Sequence, residues 1–147
     1  LVGSEMCIRD RYKGKSVRGE KEVDDLLYWE GYKLEYYDEE EFEGFLKELS
    51  IRAAREVLEV FLDSINEGLG IPYEYIESGL FKKLRNQGIW EYRGRDKSRK
   101  TIFRIYFGVN EKAKAVVVLL GHIKKSSKNQ KKAIEIAAKR FRSIMGR

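Results

Sequence analysis

The fold is decided by residues 88–128, which read GIWEYRGRDKSRKTIFRIYFGVNEKAKAVVVLLGHIKKSSK. Two segments of this stretch alternate between apolar and polar side chains, and alternation places successive side chains on opposite faces of a β-sheet. One predicted face carries apolar and aromatic side chains: Trp90, Tyr92, Phe103, Ile105 and Phe107. The opposite face carries ionic or hydroxylated side chains: Glu91, Arg93, Arg104 and Tyr106. We therefore predict a sheet with one apolar face and one ionic face, and we expect the chemistry on the ionic face.

Three short strands are predicted in this stretch, at residues 89–93, 102–107 and 115–120. The third is a continuous apolar run, which is typical of a central strand covered on both sides. It is followed directly by Gly-His-Ile-Lys-Lys, and the ends of strands are where a scaffold presents functional side chains. We therefore predict that three further side chains join the ionic face: His122, Lys124 and Lys125.

The flanking segments predict one strand and several helices. Residues 32–37 alternate like a strand, and Asp38 with Glu41 three residues later is typical of a helix N-terminus. A second helix is predicted over residues 51–67, a short helical turn within 73–85, and a last helix over 130–145. This order predicts a small α+β fold, in which a helical hairpin covers the apolar face of an antiparallel or mixed sheet and leaves the other face open.

Length and composition indicate one globular domain. The chain has 147 residues, of which 42% are hydrophobic and 37% charged, and it contains no apolar run of the roughly 20 residues that a membrane span needs. With no apolar signal-peptide region either, we expect a cytoplasmic protein. Residues 2–11 resemble a translated sequencing adapter, so we expect residues 1–31 to be an artefactual or poorly ordered tail and residues 32–147 to be the domain. The single cysteine, Cys7, lies in that tail and indicates nothing about redox chemistry.

Charge is divided unevenly along the chain, whose net charge is +6. Residues 20–80 sum to −13 and residues 81–147 to +16, counted from Lys, Arg, Asp and Glu. A basic half of this strength favours a polyanion as partner, because neutralised phosphates release counterions. The alternative is that the two halves attract each other within the fold.

Three motifs stand in the predicted strands: GIWEYR at residues 88–93, FRIYF at 103–107 and VVLLGHIKKS at 117–126. In this order and spacing the chain resembles the RelE/HigB-like toxins of bacterial type II toxin–antitoxin modules, and in particular their phage-related branch. The resemblance implies a RelE-like fold and an endoribonuclease that cuts mRNA, often on the ribosome. It also implies a cognate antitoxin, commonly of the helix-turn-helix type, through which operator DNA would be bound.

The resemblance also implies roles for single residues. Arg93 matches a basic residue at the end of a strand, Arg104 matches the arginine of a Tyr-Arg strand, and Lys124 with Lys125 matches a basic pair. His122 stands where phage-related members place a histidine. The sequence departs from the RelE pattern at Glu91, where some members have lysine, and it has no clear tyrosine after Lys125.

RNA can be cut without metal or cofactor if its 2′-OH is deprotonated, the phosphorane charge is stabilised and the leaving 5′-oxygen is protonated. Guanidinium groups fork onto phosphate oxygens, so we assign charge stabilisation to Arg93 and Arg104. His122 and Lys125 are the candidates for moving protons. RNA-binding roles are predicted for the remaining members: Lys124, Lys128, Glu91 and Tyr106. No cysteine–histidine cluster or phosphate-binding glycine loop indicates a metal or a nucleotide cofactor.

Each of these interpretations has a simpler alternative. Arg104 could form a structural ion pair with Glu91, the lysines could be a solvated loop, and His122 could be structural. At the level of function, ParE-like toxins share the fold and inhibit DNA gyrase without cutting RNA. A third hypothesis is a non-catalytic RNA-binding domain that uses the same cations.

Overall fold

The structure is a computed structural model that describes residues 30–66 and 73–146. Its strands are β1 (Lys33–Tyr36), β2 (Phe81–Leu84), β3 (Ile89–Asp96), β4 (Thr101–Asn110) and β5 (Ala115–Lys124). Its helices are α1 (Glu39–Glu48), α2 (Ile51–Val57), α3 (Asp63–Asn66), α4 (Tyr73–Glu77) and α5 (Ser127–Met145), with a π-helical turn (Leu58–Leu62) between α2 and α3. None of the helices within the described ranges has the length and apolarity needed to cross a bilayer. The adapter-like string and nearly all of the predicted tail lie outside the described residues.

The strands form one mixed sheet in the order β1-β5-β4-β3-β2. β1 runs parallel to β5, and the other neighbours are antiparallel. This architecture confirms the predicted α+β class. β3, β4 and β5 are longer than predicted, with 8, 10 and 10 residues, because their pairing continues past the apolar core to the polar ends of the strands.

Side-chain caps fix where the main helices begin. Asp38 accepts a hydrogen bond from the N–H of Glu41 at 3.0 Å, which confirms Asp38 as the predicted N-cap of α1. Ser50 caps α2 and Ser126 caps α5 in the same way. Because only Leu49 and Ser50 separate α1 from α2, these helices form the predicted hairpin with a short connection.

The helical hairpin packs on the apolar face of the sheet, as predicted. Phe61 is fully buried there and lies against Tyr92 and Phe107 of the sheet, with ring centroids 5.8 and 4.7 Å away. Offset and edge-to-face aromatic pairs each add about 0.5–1.5 kcal/mol beyond the burial of their area. This aromatic core holds the hairpin firmly on one side of β3 and β4.

The opposite face of the sheet is not left open, and this corrects the prediction. α5 packs across part of it and buries Ala133, Ala137 and Ala138 against the sheet. Tyr106, Val117 and Leu119 project from this face and would otherwise expose apolar surface. Only the end of the face nearest the β3–β4 turn stays outside the cover of α5, since the described core on this side stops at Ile89, Tyr106 and Leu119.

The segment 73–85 contains a strand that the sequence did not predict. A short helix is present at α4, as expected, and it is followed by Gly79 at a φ of 85°. Phe81 then pairs with Tyr92 and Leu84 pairs with Ile89, so β2 is an edge strand of the sheet. The pattern Phe-Lys-Lys-Leu concealed this strand, because it places one apolar residue and one lysine on each face.

The helix predicted over residues 51–67 is confirmed as a helical segment through residue 66, and Glu67 lies outside the described residues. It is not one continuous α-helix, since the π-helical turn interrupts it. Phe61 and Leu62 in that turn are buried, so the wider turn keeps both on the hairpin side of the core.

A buried carboxylate ties the end of β3 to the hairpin. Asp96 is fully buried and accepts hydrogen bonds from the N–H of Ser50 at 2.7 Å, the Oγ–H of Ser50 at 2.8 Å and the N–H of Arg99 at 3.2 Å. Burial raises the pKa of this carboxyl, but the bonds from Ser50 and Arg99 outweigh it and hold the pKa below its usual value. The ionised group therefore fixes the β3–β4 turn against the start of α2.

We expect Asp96→Ala to lower the free energy of unfolding by about 2–4 kcal/mol, because it leaves buried donors without an acceptor. Urea unfolding measures this loss. The control is Asp38→Ala at the exposed N-cap of α1, which we expect to lower the free energy of unfolding by about 1 kcal/mol. Since the folded pKa is depressed, the stabilisation is present above pH ~3.9 and is lost as the pH falls below that value. An Asp96→Ala variant no less stable than Asp38→Ala at pH 7 would contradict this account.

Candidate active site

Strand register brings the predicted ionic residues together. Arg93 of β3 lies opposite Arg104 of β4, which in turn lies opposite His122 of β5. Glu91 lies opposite Tyr106 in the same ladder. Directly opposite residues of antiparallel strands share a face with Cβ atoms about 4.5–5.5 Å apart, so these five side chains form one patch. With Gln130 of α5 they are called the ionic cluster below.

The carboxylate of Glu91 lies at the centre of the ionic cluster. Its Oε1 is 3.4 Å from Nε of Arg93 and 3.8 Å from Nε of Arg104. Its Oε2 accepts a hydrogen bond from Nε2 of Gln130 at 3.2 Å. Because Glu91 is only 2% exposed, this carboxylate holds both guanidinium groups from inside the protein.

Arg104 is an interior residue and not a surface one. It is 5% exposed, and its Nη1 donates to the carbonyl of Phe103 at 3.0 Å. Burial, partly offset by the charge of Glu91, lowers the pKa of Arg104, but a guanidinium stays protonated in proteins. The predicted direct contact of Arg104 with a phosphate is therefore not available in this arrangement, whereas its alternative, the ion pair with Glu91, is present.

Tyr106 lies opposite Glu91 on the neighbouring strand β4. It is fully buried, and burial followed by the negative charge of Glu91 raises the pKa of its phenol. Its hydroxyl lies near Glu91 and Gln130 but meets no hydrogen-bond geometry among the described residues. Glu91 and Tyr106 were both predicted to bind RNA. Burial removes both from such contact, and they act within the protein instead.

His122 is half-buried at the edge of the ionic cluster. Burial, Arg104 and Lys125 together lower the pKa of His122, in that order of importance. Its Nε2 is buried and has no hydrogen-bond partner in the described part of the chain. The lowered pKa favours the uncharged imidazole at neutral pH, and burial keeps Nε2 from contact with a ligand.

The accessible cations surround this buried core. The side chain of Arg93 is 41% exposed, Lys124 is half-buried, and Lys125 and Lys128 are exposed. Of the two predicted catalytic arginines, Arg93 alone has its guanidinium both held by Glu91 and open to a ligand. The sequence thus predicted side chains that the sheet brings together, but not which of them lie inside.

The sequence analysis missed Gln130, although a signal was present. Gln130 precedes the buried alanines Ala133 and Ala137 by three and seven residues, so it lies on the inward stripe of α5. A polar residue on such a stripe indicates a buried polar partner. That partner is Glu91.

A groove beside β5 provides a second approach to His122. It has a volume of about 660 Å³ and lies between α1 and the end of β5, with Phe45, Glu48, His122 and Lys125 among its lining residues. Glu48 and Glu41 line the helix side of the groove and would repel a phosphate. The groove therefore presents carboxylates on its α1 side and the cation Lys125 on its β5 side.

The model of the family described as "Phage derived protein Gp49-like (DUF891)" matches residues 44–142, which is more than half of the chain. The chain belongs to this Gp49-like family. The matched range begins within α1 and ends within α5, so it includes every member of the ionic cluster. Membership in the Gp49-like family, a family of RelE-like toxins, supports a toxin of a toxin–antitoxin module and implies a cognate antitoxin.

One solved structure similar to this Gp49-like chain is that of the E. coli toxin RelE, an arginine-to-alanine double mutant in the free state. The two share 16% sequence identity over 71% of this chain and 95% of that one, with a TM-score of 0.46. No curated protein matches the chain.

Proposed function

We propose that this Gp49-like chain is a metal-independent endoribonuclease that cuts mRNA on the ribosome, as the toxin of a type II toxin–antitoxin module. The observation that carries the proposal is the presence of an exposed guanidinium and an imidazole of lowered pKa on one face of the sheet. Arg93 is held by the buried carboxylate of Glu91. His122 lies on the other side of β4, opposite Arg104, and its pKa is lowered by burial and by two cationic neighbours. Phosphate binding and proton removal thus have separate groups within one patch.

In the proposed reaction the 2′-OH attacks the adjacent phosphate, and the bond to the 5′-oxygen of the next nucleotide breaks. His122 accepts the proton of the 2′-OH at Nδ1, because Nε2 is buried and the lowered pKa favours the neutral imidazole at pH 7. The guanidinium of Arg93 stabilises the additional negative charge on the phosphorane. Lys125 gives a proton to the leaving 5′-oxygen, and the products are a 2′,3′-cyclic phosphate and a 5′-hydroxyl.

The buried members of the ionic cluster position these groups. Glu91 fixes the orientation of Arg93 through Nε, which leaves the outer nitrogens of the guanidinium for phosphate oxygens. Arg104 neutralises Glu91 and, by its charge, favours the neutral form of His122. Arg104 is therefore a positioning residue in this proposal.

The proposed partners are mRNA, the ribosome and a cognate antitoxin that holds the toxin inactive. A helix-turn-helix antitoxin would also bring the pair to operator DNA. Family membership supports the antitoxin, and the basic surface around Arg93, Lys124 and Lys125 supports an RNA partner.

The proposal is tested in a translation extract with a reporter message on preformed ribosomes, and primer extension locates the cuts. We expect discrete cuts with 5′-hydroxyl ends in a translated message, and none in the same message lacking its start codon. Cuts in both messages would contradict the proposed ribosome dependence but not the nuclease activity. Intact messages at a toxin concentration that arrests growth would overturn the nuclease and favour another target, such as gyrase.

The pKa of His122 is directly measurable, because the chain has a single histidine. We expect an NMR titration of its imidazole to give a pKa below 6.5, and Lys125→Gln to raise that pKa by removing a cation. Since the folded pKa is depressed, the folded state loses stability as the pH falls below ~6.5. A pKa above 6.5, or one unmoved by Lys125→Gln, would contradict the proposed environment.

A further inference from the structure

The turn between β3 and β4 carries a second group of cations outside the ionic cluster. It consists of residues 97–100, Lys-Ser-Arg-Lys, and is called the hairpin tip below. All four residues are exposed, and Lys100 has a left-handed φ of 54°. Among residues 30–66 and 73–146, no ion pair joins Lys97, Arg99 or Lys100 to a carboxylate. The charge of Arg99 does act on a described carboxylate, because it helps to lower the pKa of Asp96, whereas Lys97 and Lys100 form no ion pair within these ranges.

The hairpin tip is anchored at its base. Asp96 binds both Ser50 and the N–H of Arg99, so the first turn of the tip is tied to the start of α2. Forming this anchor removes the carboxylate of Asp96 from water, which costs free energy. A basic loop that served only as solvated surface would not need it. The anchor holds the cations in one arrangement before any ligand arrives, and preorganisation of this kind reduces the entropy lost on binding.

The hairpin tip lies at the same end of the sheet as the open part of the ionic face. Arg95 follows Arg93 on that face, and Lys124 of β5 lies beside Ile102 at the base of the tip. Lys97 lies four positions after Arg93, a distance of about 14 Å at the rise of an extended strand. One nucleotide does not span this distance, so the two groups would contact different phosphates of the same strand.

We propose that the hairpin tip is a second phosphate-binding site, which holds the backbone of a single-stranded message where it leaves Arg93. The inference rests on the proposed function in one respect, namely that RNA is the ligand. It adds that the substrate must extend a few nucleotides beyond the cleaved bond. It also adds that Lys97, Arg99 and Lys100 contribute affinity and no chemistry.

The chain offers a matched control at the other end of the sheet. Lys112 and Lys114 lie in the β4–β5 turn, both are exposed, and Lys114 has a φ of 50°, close to that of Lys100. β4 has ten residues, so the two turns are about 34 Å apart. Lys97→Gln/Lys100→Gln and Lys112→Gln/Lys114→Gln therefore remove the same charge from equivalent turns.

The experiment measures the affinity of the full chain for a labelled 2′-O-methyl 12-nucleotide RNA by fluorescence anisotropy over a range of KCl concentrations. The methyl group blocks the attacking hydroxyl, so binding is measured without cleavage. Two lost phosphate contacts reduce the slope of log K against log salt by about 1.4. This is about a 25-fold loss of affinity at 0.1 M salt if binding at 1 M is unchanged. We expect this loss for the tip variant and no loss for the β4–β5 variant.

Equal losses in both variants, or no loss in either, would overturn the proposal. So would a tip variant that binds the oligonucleotide normally but no longer sediments with ribosomes, because the tip would then contact ribosomal RNA and not the message. If the wild-type protein cuts no message and the tip variant still shows the reduced slope, the nuclease proposal fails and the tip site stands. Thermal unfolding monitored by circular dichroism confirms that both variants are folded.

Discussion

Glu91→Ala is expected to lower the free energy of unfolding by about 3–5 kcal/mol, because it leaves the buried Arg104 without its counter-charge. Gln130 and Arg93 lose the same acceptor, so the whole ionic cluster is loosened. Urea unfolding followed by far-UV circular dichroism measures the change. Glu91→Gln keeps an acceptor for Gln130 but removes the negative charge. We expect its free energy of unfolding to lie between those of the wild type and Glu91→Ala.

Glu41→Ala is the matched control for this measurement. Glu41 also pairs with an arginine, at 2.6 Å from Nη1 of Arg140, but its side chain is 40% exposed. Arg140 is 19% exposed and donates to both oxygens of Glu41, so we expect the control to lose about 1 kcal/mol, the upper end for exposed pairs. Equal losses for Glu91→Ala and Glu41→Ala would show that the interior carboxylate does not hold the cluster.

Arg93→Ala is expected to reduce the cleavage rate by about 10²–10³-fold, the usual loss when one donor to a transition-state charge is removed. Arg93→Lys keeps the charge but not the fork, so we expect it to recover only part of the rate. Single-turnover cleavage of translated message by purified protein measures both variants. The fold should persist, since Arg93 is partly exposed and Glu91 retains Arg104.

Arg55→Ala serves as the control for Arg93→Ala. Arg55 is an exposed arginine of α2, on the hairpin side of the sheet, and its loss changes the net charge by the same amount. We expect its cleavage rate to stay within about threefold of the wild type. If Arg93→Ala cuts as fast as Arg55→Ala at equal folded protein, Arg93 is not the phosphate ligand.

The faces of the strands could be predicted from the sequence because alternation is a local property of the backbone. Trp90 and Tyr92 are buried under the hairpin, and Glu91, Arg93 and Arg104 share the other face, as parity indicated. The N-cap at Asp38 was equally local. These features depend on neighbours within a few residues.

The depth of the site could not be predicted in the same way. The alternation of side chains along β4 places Arg104 and Tyr106 on one face of the sheet, but it does not indicate what covers that face. The covering element is α5, which follows later in the chain. β2 was hidden for a related reason, since its pattern alone is ambiguous and pairing with β3 decides it. The sequence analysis assigned no role to Asp96, because its burial depends on the contact with Ser50, 46 residues earlier in the chain.

The parallel pairing of β1 with β5 joins segments that lie more than half the chain apart, Lys33 beside Ala115. Contacts of such high sequence separation form late in folding, because a long loop must close before they stabilise anything. Gln130, which completes the setting of Glu91, is made later still. During synthesis, the emerging chain therefore carries its acidic helical hairpin well before the ionic cluster can form. The proposed cleavage site is complete only after β5 and the start of α5 have been made.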